Sequence, residues 1–272
     1  MNLLASDQAE SLRRMLAPRA TRRIAVVASD AGAGATTVAL GLANALALQG
    51  ERVLLIDEDR FGARATRLAG ASPEGTLAAV LGGALTLEAA LGKRPAGAIA
   101  VLPGSPQASG DPQALSAFRT VVSDARSEAD GGLSQFAGTA HNLVVVLRAE
   151  PDSIKAAYAA IKRMNHLYAC RRFHLVINAA ASESAAGAVL GNLARTASQY
   201  LGVDARPAGS LPSDPLVGRS AALGRCVVEA FPAAPATAAL RRIALSIAAW
   251  PLATGSRSTL TAPTAPSATA LA

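Results

Sequence analysis

Residues 24–37 read IAVVASDAGAGATT and carry the clearest structural signal in the chain. It opens on an apolar, β-branched run, passes through small residues and glycines, and continues into an Ala-rich apolar segment. This order predicts a buried strand at Ile24–Ala28, a tight loop, and a helix over Thr37–Gln49. A strand that leads into a helix through a glycine-containing turn is the repeating unit of parallel α/β sheets.

The loop in this stretch has the layout of a phosphate-binding loop that lacks its lysine. In G-x-x-x-x-G-K-[ST], backbone N–H groups surround the phosphates, the lysine reaches the β- and γ-phosphates, and the hydroxyl binds Mg²⁺. Here Ala35 occupies the lysine position and Thr36 the hydroxyl position, while Asp30 opens the loop with an anion. The sequence therefore predicts the frame of a nucleotide switch without the cation that makes such a loop bind ATP tightly.

Apolar runs and amphipathic segments alternate along the rest of the chain. Further strands are predicted at Arg52–Ile56, Ile99–Leu102, Thr120–Ser123, Leu143–Leu147 and His174–Ile177. Further helices are predicted at Thr76–Leu81, Leu87–Leu91, Pro112–Phe118, Asp152–Leu167, Ser184–Leu201 and Pro235–Trp250. Buried strands separated by helices indicate a three-layer α/β fold, a mostly parallel twisted sheet with helices on both faces. The strands that begin at Ile24, Arg52 and Leu143 are expected to be central.

Polar side chains follow several of these strands. They are Asp30, Asp57, Asp59, Asp124 and Asn178. Because ligands of parallel sheets bind beyond the carboxyl ends of the strands, we expect these side chains to gather at one edge.

Composition limits the remaining choices. The chain has 272 residues, 51% of them hydrophobic, and a net charge of +7 that includes several arginine pairs. No basic run is long enough to form a nucleic-acid patch, so scattered solvated arginines are favoured and DNA is not an expected partner. With no secretory segment and no apolar stretch of membrane-spanning length, a soluble cytoplasmic protein is expected. The organisation predicted is a polar arm at 1–21, one domain at 22–252, and a disordered Thr/Ser/Ala/Pro tail at 253–272.

Four segments together resemble the MinD/ParA group of deviant P-loop ATPases, most closely its flagellar branch, FlhG/FleN. They are DAGAGATT (30–37), VLLIDEDRFGARATRLAG (53–70), VVVLRAEPDSIKAAYAAIK (144–162), and the strand that ends at Asn178 followed by GSLPSDP (209–215). The resemblance covers about residues 1–250. The four segments occur in the order and at the spacing of that family.

The resemblance assigns nucleotide-site positions residue by residue. The implied nucleotide-binding positions are Gly32, Gly34, Ala35, Thr36, Thr37, Asp57, Asp124 and Asn178. Within this set Thr36 would hold Mg²⁺ and Asn178 would contact adenine, while Asp59, outside it, would orient the attacking water. Both loop lysines of the family are replaced, by Asp30 and Ala35, and Arg126 stands where the second switch has glycine. The resemblance implies ATP and Mg²⁺ as ligands, and these losses imply that they bind weakly, as in a pseudo-ATPase.

The amino-terminal segment DQAESLR (7–13) resembles the DQAxxLR motif with which the flagellar branch stimulates the GTPase FlhF. The matching residues are Asp7, Gln8, Ala9, Leu12 and Arg13. As a bare pattern the heptad is also typical of a solvated helix start with Asp7 near the N-cap. The resemblance implies an FlhF-like GTPase or a flagellar transcription activator as the partner.

The favoured function is control of flagellar number or placement through protein–protein contacts, with a degenerate ATPase site. Two alternatives stay open: a weakly active MinD-like ATPase, and a ParA-like protein that binds DNA or a membrane surface. The family carries a membrane-binding helix near its carboxyl terminus, so residues 235–250 are a candidate contact with the inner membrane at the cell pole. Packing of this helix on the core is the favoured interpretation, because it is short of aromatic and basic residues.

Overall fold

A seven-stranded sheet, parallel at every strand pair, forms the centre of the protein. The computed structural model describes residues 20–93, 99–127 and 131–252. The strands are β1 (Arg22–Ala28), β2 (Val53–Asp57), β3 (Ala100–Pro103), β4 (Thr120–Asp124), β5 (Asn142–Leu147), β6 (Arg172–Ala180) and β7 (Asp204–Pro212). Their order across the sheet is β3-β2-β4-β1-β5-β6-β7. The predicted arm motif at 7–13 and the predicted tail at 253–272 lie outside the described residues.

Helices cover both faces of this sheet. They are α1 (Ala35–Ala47), α2 (Arg64–Leu68), α3 (Leu77–Leu81), α4 (Leu87–Leu91), α5 (Gln135–Gly138), α6 (Pro151–Tyr168), α7 (Glu183–Leu201), α8 (Pro215–Ala222), α9 (Val227–Ala230) and α10 (Pro235–Ile247). The α/β fold with helices on both sides of a parallel sheet is thus the one predicted.

The core divides into layers because successive strand side chains point to opposite faces. Ile24 and Val26 of β1 pack with α1, α9 and α10, whereas Ala25 and Val27 pack with α6 and α7. A third cluster, built on Leu54 of β2, fills the space under α3 and α4. Strands buried on both faces read as continuous apolar runs, which is why the sequence reveals them so clearly.

All six predicted strands are present, and the three expected to be central are interior. β1 is the middle strand, β5 lies between β1 and β6, and β2 lies between β3 and β4, next to the edge. The edge strand β7 was not predicted. Its sequence, DARPAGSLP, has two prolines and little apolar character, and most of its side chains are exposed or half-buried. Edge strands tolerate proline because one side of the strand forms no ladder.

The helix predicted over Pro112–Phe118 is wrong in length: only a 3-10 turn, Pro112–Leu115, forms. Asp111 caps this turn by accepting from the N–H of Gln113 at 2.9 Å. The backbone N–H of Arg119 already donates to the carbonyl of Arg52 at 2.9 Å, so the chain must be extended before β4 begins. Too few residues remain for a full helix.

The carboxyl-terminal helix α10 packs on the core, as the sequence favours. Its buried residues include Leu240, whose methyl groups fit against the bare backbone of Gly41 in α1. Beyond the helix, the ring of Trp250 stacks on that of His174 with centroids 3.5 Å apart. In the part of the chain that the structure describes, no helix is both long and apolar enough to cross a bilayer.

Candidate functional site

The loop between β1 and α1 folds as a phosphate-binding loop does. Gly32 and Gly34 take positive φ angles of 85° and 95°, a region that favours glycine, and α1 begins at Ala35 with no side-chain cap. The first N–H groups of a helix carry partial positive charge and have no partner within the helix. The backbone of a phosphate cradle is therefore present at the carboxyl end of β1.

Asn178 holds this loop from the neighbouring part of the sheet. Its Nδ2 donates to the carbonyl of Ala33 at 3.0 Å. A Cβ atom placed on Gly34 would overlap the same Nδ2, so a larger residue at this position would have to displace the amide. The sequence predicts an adenine contact for Asn178; in the structure its amide group ties β6 to the loop.

Asp30, at the position of the first family lysine, is fixed by two hydroxyls. Ser29 and Ser153 both donate to its Oδ1, the latter at 2.6 Å. Ser153 lies in the first turn of α6 and accepts from the N–H of Arg148 at 3.0 Å. The carboxylate is thus built into the junction of the loop with α6, and it leaves a negative charge beside the cradle.

Both carboxylate oxygens of Asp57, at the end of β2, accept hydrogen bonds from residues that follow it in the chain. Oδ1 accepts from the N–H of Asp59 at 3.0 Å. Oδ2 accepts from the N–H and the hydroxyl of Thr66 at 2.8 and 2.7 Å. The segment 57–66, which we call the switch loop, is therefore closed on Asp57 at both ends.

Asp59 forms an ion pair with Arg126, which lies in a distant part of the sequence. The guanidinium of Arg126 lies 3.0 Å from Oδ2 of Asp59, and the N–H of Gly62 donates to Oδ1 at 3.1 Å. Burial alone would raise the pKa of Asp59, but the hydrogen bond from Gly62 and the charge of Arg126 outweigh it and lower that pKa. The backbone N–H of Arg126 donates to Glu58 at 3.3 Å. Both ends of Arg126 thus bind the segment that carries the predicted catalytic carboxylate.

Asp124 lies at the end of β4, beside the start of α1. Burial raises its pKa to about 7, and the charges of Asp57 and Glu58 act in the same direction. A hydrogen bond with the side chain of Thr36 and the charge of Arg126 oppose this rise in part. The hydroxyl predicted to bind Mg²⁺ therefore contacts Asp124, a carboxyl group that is half protonated near neutral pH. Thr37, one residue on, lines a small cavity beside α1.

These residues do not fit tightly held Mg²⁺–ATP. The lysine position is filled by Ala35, Asp30 adds an anion, and both oxygens of Asp57 already accept hydrogen bonds. Within residues 20–93, 99–127 and 131–252, no group of three His, Cys, Asp or Glu side chains is placed to hold a metal ion. What the site still offers an anion is the backbone cradle with the hydroxyl of Thr36.

The structure brings together the predicted site residues that it describes. Gly32, Gly34, Ala35, Thr36 and Thr37 form the loop and the first turn of α1, and Asp57, Asp59, Asp124 and Asn178 surround them. The effector residues at positions 7–13 lie outside the described residues. Sequence reasoning missed Ser153, and it took Arg126 only as a lost glycine, because their partners are more than sixty positions away along the chain.

Comparison with known proteins agrees with this architecture. The family described as "CobQ/CobB/MinD/ParA nucleotide binding domain" matches residues 24–222. The antiactivator FleN of Pseudomonas aeruginosa is 32% identical over 244 residues, which covers 84% of this chain and 87% of FleN.

Solved structures of MinD share the fold. The cell division ATPase MinD of Pyrococcus furiosus superposes with a TM-score of 0.66 at 20% identity, over 85% of this chain and 99% of MinD. MinD of Pyrococcus horikoshii, solved with Mg-ADP, gives a TM-score of 0.64 at 20% identity, over 84% of this chain and 96% of that one. Together with the match to FleN, the loop, the sheet order and the family match lead to one conclusion. The chain belongs to the CobQ/CobB/MinD/ParA nucleotide-binding domain family, in the FlhG/FleN-like branch of flagellar regulators.

Proposed function

We propose that this protein is an antiactivator that binds a flagellar transcription activator and restrains it without an ATP-driven switch. The proposed antiactivator role rests on the 32% identity to a protein named antiactivator FleN, which extends over most of both chains. An antiactivator acts by contact with an activator, so the partner class follows from the relative. Its effect would be to limit flagellar number or placement.

The second half of the proposal is supported by the chemistry of the loop and the switch carboxylates. A charge-assisted contact to phosphate contributes roughly 1.5–3 kcal/mol, and the loop has lost its lysine. Arg126 neutralises Asp59, and its backbone N–H, at the position that the resemblance assigns to the γ-phosphate, donates to Glu58. Asp57 is committed to Thr66. Several independent features would have to reverse before ATP could drive this site.

Residual nucleotide binding is the main alternative. Gly32 and Gly34 keep the cradle geometry, and Thr36 still presents a hydroxyl next to Asp124. These features favour weak anion binding over a catalytic cycle. Binding to DNA is a separate alternative, and a steep loss of DNA retention with added salt would be its signature.

Two parts of the proposal rest on the resemblance rather than on contacts in the structure. Stimulation of an FlhF-like GTPase depends on the motif at positions 7–13. Peripheral association with the inner membrane at the cell pole depends on residues 235–250. In the structure the apolar face of α10 packs on α1 and β7, and Leu245 is its exposed large apolar residue.

Gene replacement in the organism that encodes the chain tests the proposal. Deletion should raise transcription from flagellar promoters and increase flagella per cell, and the wild-type gene should reverse both effects. A Thr36→Ala gene should restore control equally, because the predicted Mg²⁺ ligand has no nucleotide to serve. A deletion without effect on flagellar transcription would contradict the function. Failure of a normally folded Thr36→Ala protein would favour the ATPase alternative.

A further inference from the structure

The switch loop presents one apolar side chain wholly to solvent. Phe61, between Asp59 and Gly62, is 97% exposed, the most exposed large apolar residue in the part of the chain that the structure describes. Exposure of a ring of this size is unfavourable, because its large apolar surface stays in contact with water. A single exposed apolar side chain is common, so its surroundings decide whether it has a role.

The backbone that carries Phe61 is tied in place on both sides. Before it, the N–H of Asp59 donates to Asp57; after it, the N–H of Gly62 donates to Asp59 at 3.1 Å and that of Ala63 to the Asp59 carbonyl at 2.9 Å. Ala63 itself takes a positive φ of 42°. The ring is therefore displayed on a structured turn, and a partner would not have to order the loop on binding. Such preorganisation lowers the entropic cost of association.

The charges around Phe61 are segregated by depth. The acidic residues of the loop, Asp57, Glu58 and Asp59, are buried, whereas the arginines that flank the ring, Arg60 and Arg64, are exposed. Among the described residues, neither of these two arginines forms an ion pair. A partner would thus meet an aromatic ring set in positive charge, although the segment carries three carboxylates.

A small cavity adjoins the same surface. It has a volume of about 80 Å³ and is lined by the apolar side chains of Leu40, Leu68, Val217 and Val227, with Arg64 and Arg225 among its lining residues. Arg64 belongs both to the switch loop and to the cavity wall, so the segment that displays the ring also contributes to the recess. We call this feature, made of Arg60, Phe61, Arg64 and the cavity, the switch-loop surface.

We infer that the switch-loop surface docks an acidic protein segment that receives Phe61 in an apolar pocket and inserts an apolar side chain into the cavity. The inference rests on the proposed function in one respect, that the chain acts by contact with another protein. Aromatic anchors in pockets and arginines at their rim are the residues that dominate binding energy at protein interfaces. Opposite charge on the partner would speed association and select against basic surfaces.

A second copy of this chain does not suit the surface. In a two-fold contact centred on this surface, the basic patches formed by Arg60 and Arg64 of the two copies would face each other, and like charges opposed across an interface are costly. The chain as a whole carries a net charge of +7, which adds to this repulsion. An acidic partner removes the conflict, and charge complementarity is the reason for this choice.

The affinity of the full chain for the purified flagellar transcription activator of the same organism tests the inference. Phe61→Ala should weaken binding about 30-fold or more, as expected when an aromatic anchor is truncated, while Phe61→Trp should retain most of the affinity. Arg60→Glu with Arg64→Glu should weaken binding and flatten its dependence on salt. Gly218→Leu adds bulk at the cavity mouth, where a Cβ meets no atom within 4 Å, and should also weaken binding.

Matched controls separate the surface from general effects. Leu245→Ala removes another exposed apolar side chain, Arg195→Glu reverses another exposed charge, and Gly187→Leu adds bulk to another open helical glycine. All three should bind as the wild type does. If the wild type binds the activator and Phe61→Ala, Arg60→Glu with Arg64→Glu and Gly218→Leu bind equally well, the inference fails and the proposed function stands. If the wild type does not bind, the proposed function fails and the inference with it. Loss of DNA retention in the arginine variant with unchanged activator binding would assign the surface to nucleic acid and overturn the inference.

Discussion

The guanidinium of Arg126 lies 3.0 Å from the carboxylate of Asp59 and bridges the end of β4 to the switch loop. The arginine side of the pair is 59% exposed, so the contact adds little to stability in water. Its effect is on chemistry: the carboxylate expected to orient an attacking water already has a cationic partner. The same residue replaces the glycine whose N–H the resemblance assigns to the γ-phosphate. The N–H of Arg126 itself donates to Glu58 at 3.3 Å, so two groups that would serve phosphate hydrolysis already have partners within the protein.

The purified protein should bind ATP no more tightly than roughly millimolar and hydrolyse it no faster than background, because charge-assisted phosphate contacts are missing. The combined variant Asp30→Lys, Ala35→Lys and Arg126→Gly should bind at least about tenfold more tightly, since a single charged hydrogen bond accounts for that much. Isothermal titration calorimetry with Mg²⁺ present measures both. Ala35→Leu serves as the control for bulk at the loop. Equal affinity of the combined variant and this control would refute the electrostatic explanation.

Asp124 should make stability depend on pH. Its pKa in the folded protein is about 7, against 3.8 for the ordinary group, so the folded state holds a proton that the unfolded state releases. The contribution to stability is complete below pH 4 and is lost as pH rises through about 7, at no more than about 1.4 kcal/mol per unit. The free energy of unfolding of the wild type minus that of Asp124→Asn should therefore fall between about pH 4 and about pH 7 and level off above that.

The pH dependence has to be taken as the difference between the wild type and Asp124→Asn, because the titration of His174 changes the free energy of unfolding in the opposite direction. Burial lowers the pKa of His174 to about 4, so its contribution is complete above pH 6.5 and is lost as pH falls towards 4. This effect is common to the wild type and to Asp124→Asn and cancels in the difference. Urea titrations across the pH range measure it, and a difference that stays flat would rule out a buried, protonated Asp124.

Three glycines that differ in backbone and surroundings should respond differently to alanine. Gly34→Ala should destabilise most, by about 1–3 kcal/mol, because its φ is positive and Asn178 fills the Cβ position. Gly32→Ala should cost only the strain of a positive φ, about 1–2 kcal/mol, since nothing lies within 4 Å. Gly187→Ala, in the open face of α7, should stabilise by about 0.5–1 kcal/mol. Thermal unfolding of the three variants gives their order of stability. A Gly34→Ala protein as stable as Gly32→Ala would show that the Asn178 side chain moves aside at little cost.

The arm at positions 7–13 should act on a GTPase by itself. Gln8 and Arg13 would reach polar or phosphate groups as a catalytic glutamine or an arginine finger does, with Leu12 as an apolar anchor. A peptide of residues 1–20 is expected to raise GTP hydrolysis by an FlhF-like protein from the same organism, and Gln8→Ala with Arg13→Ala to abolish the effect. Glu10→Gln with Ser11→Ala, at the two variable positions of the motif, is the matched control. The prediction fails if the peptide is inert while the full chain stimulates hydrolysis and its Gln8→Ala, Arg13→Ala variant is fully active. The arm would then be only a solvated terminus.

Much of the fold could be predicted because its signals are local. The buried strands β1, β2 and β5 each contain a run of four or five apolar residues, and the glycines of the loop mark the turn that leads into α1. The edge strand β7 escaped prediction because a strand exposed on one side needs no apolar run. The length of the 3-10 turn at Pro112 depends on a hydrogen bond between Arg119 and Arg52, which only the folded chain reveals.

The sequence predicts where the site residues lie, but not which hydrogen bonds and ion pairs they form. That Asp57, Asp124 and Asn178 meet at one edge follows from parallel strands having their carboxyl ends together. That Asn178 ties the loop, that Ser153 holds Asp30, and that Arg126 neutralises Asp59 depend on which side chains reach each other across the sheet. The exposure of Phe61 is likewise a property of the closed switch loop, because an aromatic residue in the sequence would more often be taken for core.

The central claim is regulation by contact without an ATP switch, and one comparison tests it most directly. The affinity of the full chain for the flagellar transcription activator is measured with and without Mg²⁺–ATP at roughly millimolar concentration, near the predicted limit of binding. We expect clear binding with the same dissociation constant in both conditions. A change of about tenfold or more on adding Mg²⁺–ATP, equivalent to a coupling free energy of about 1.4 kcal/mol, would contradict it.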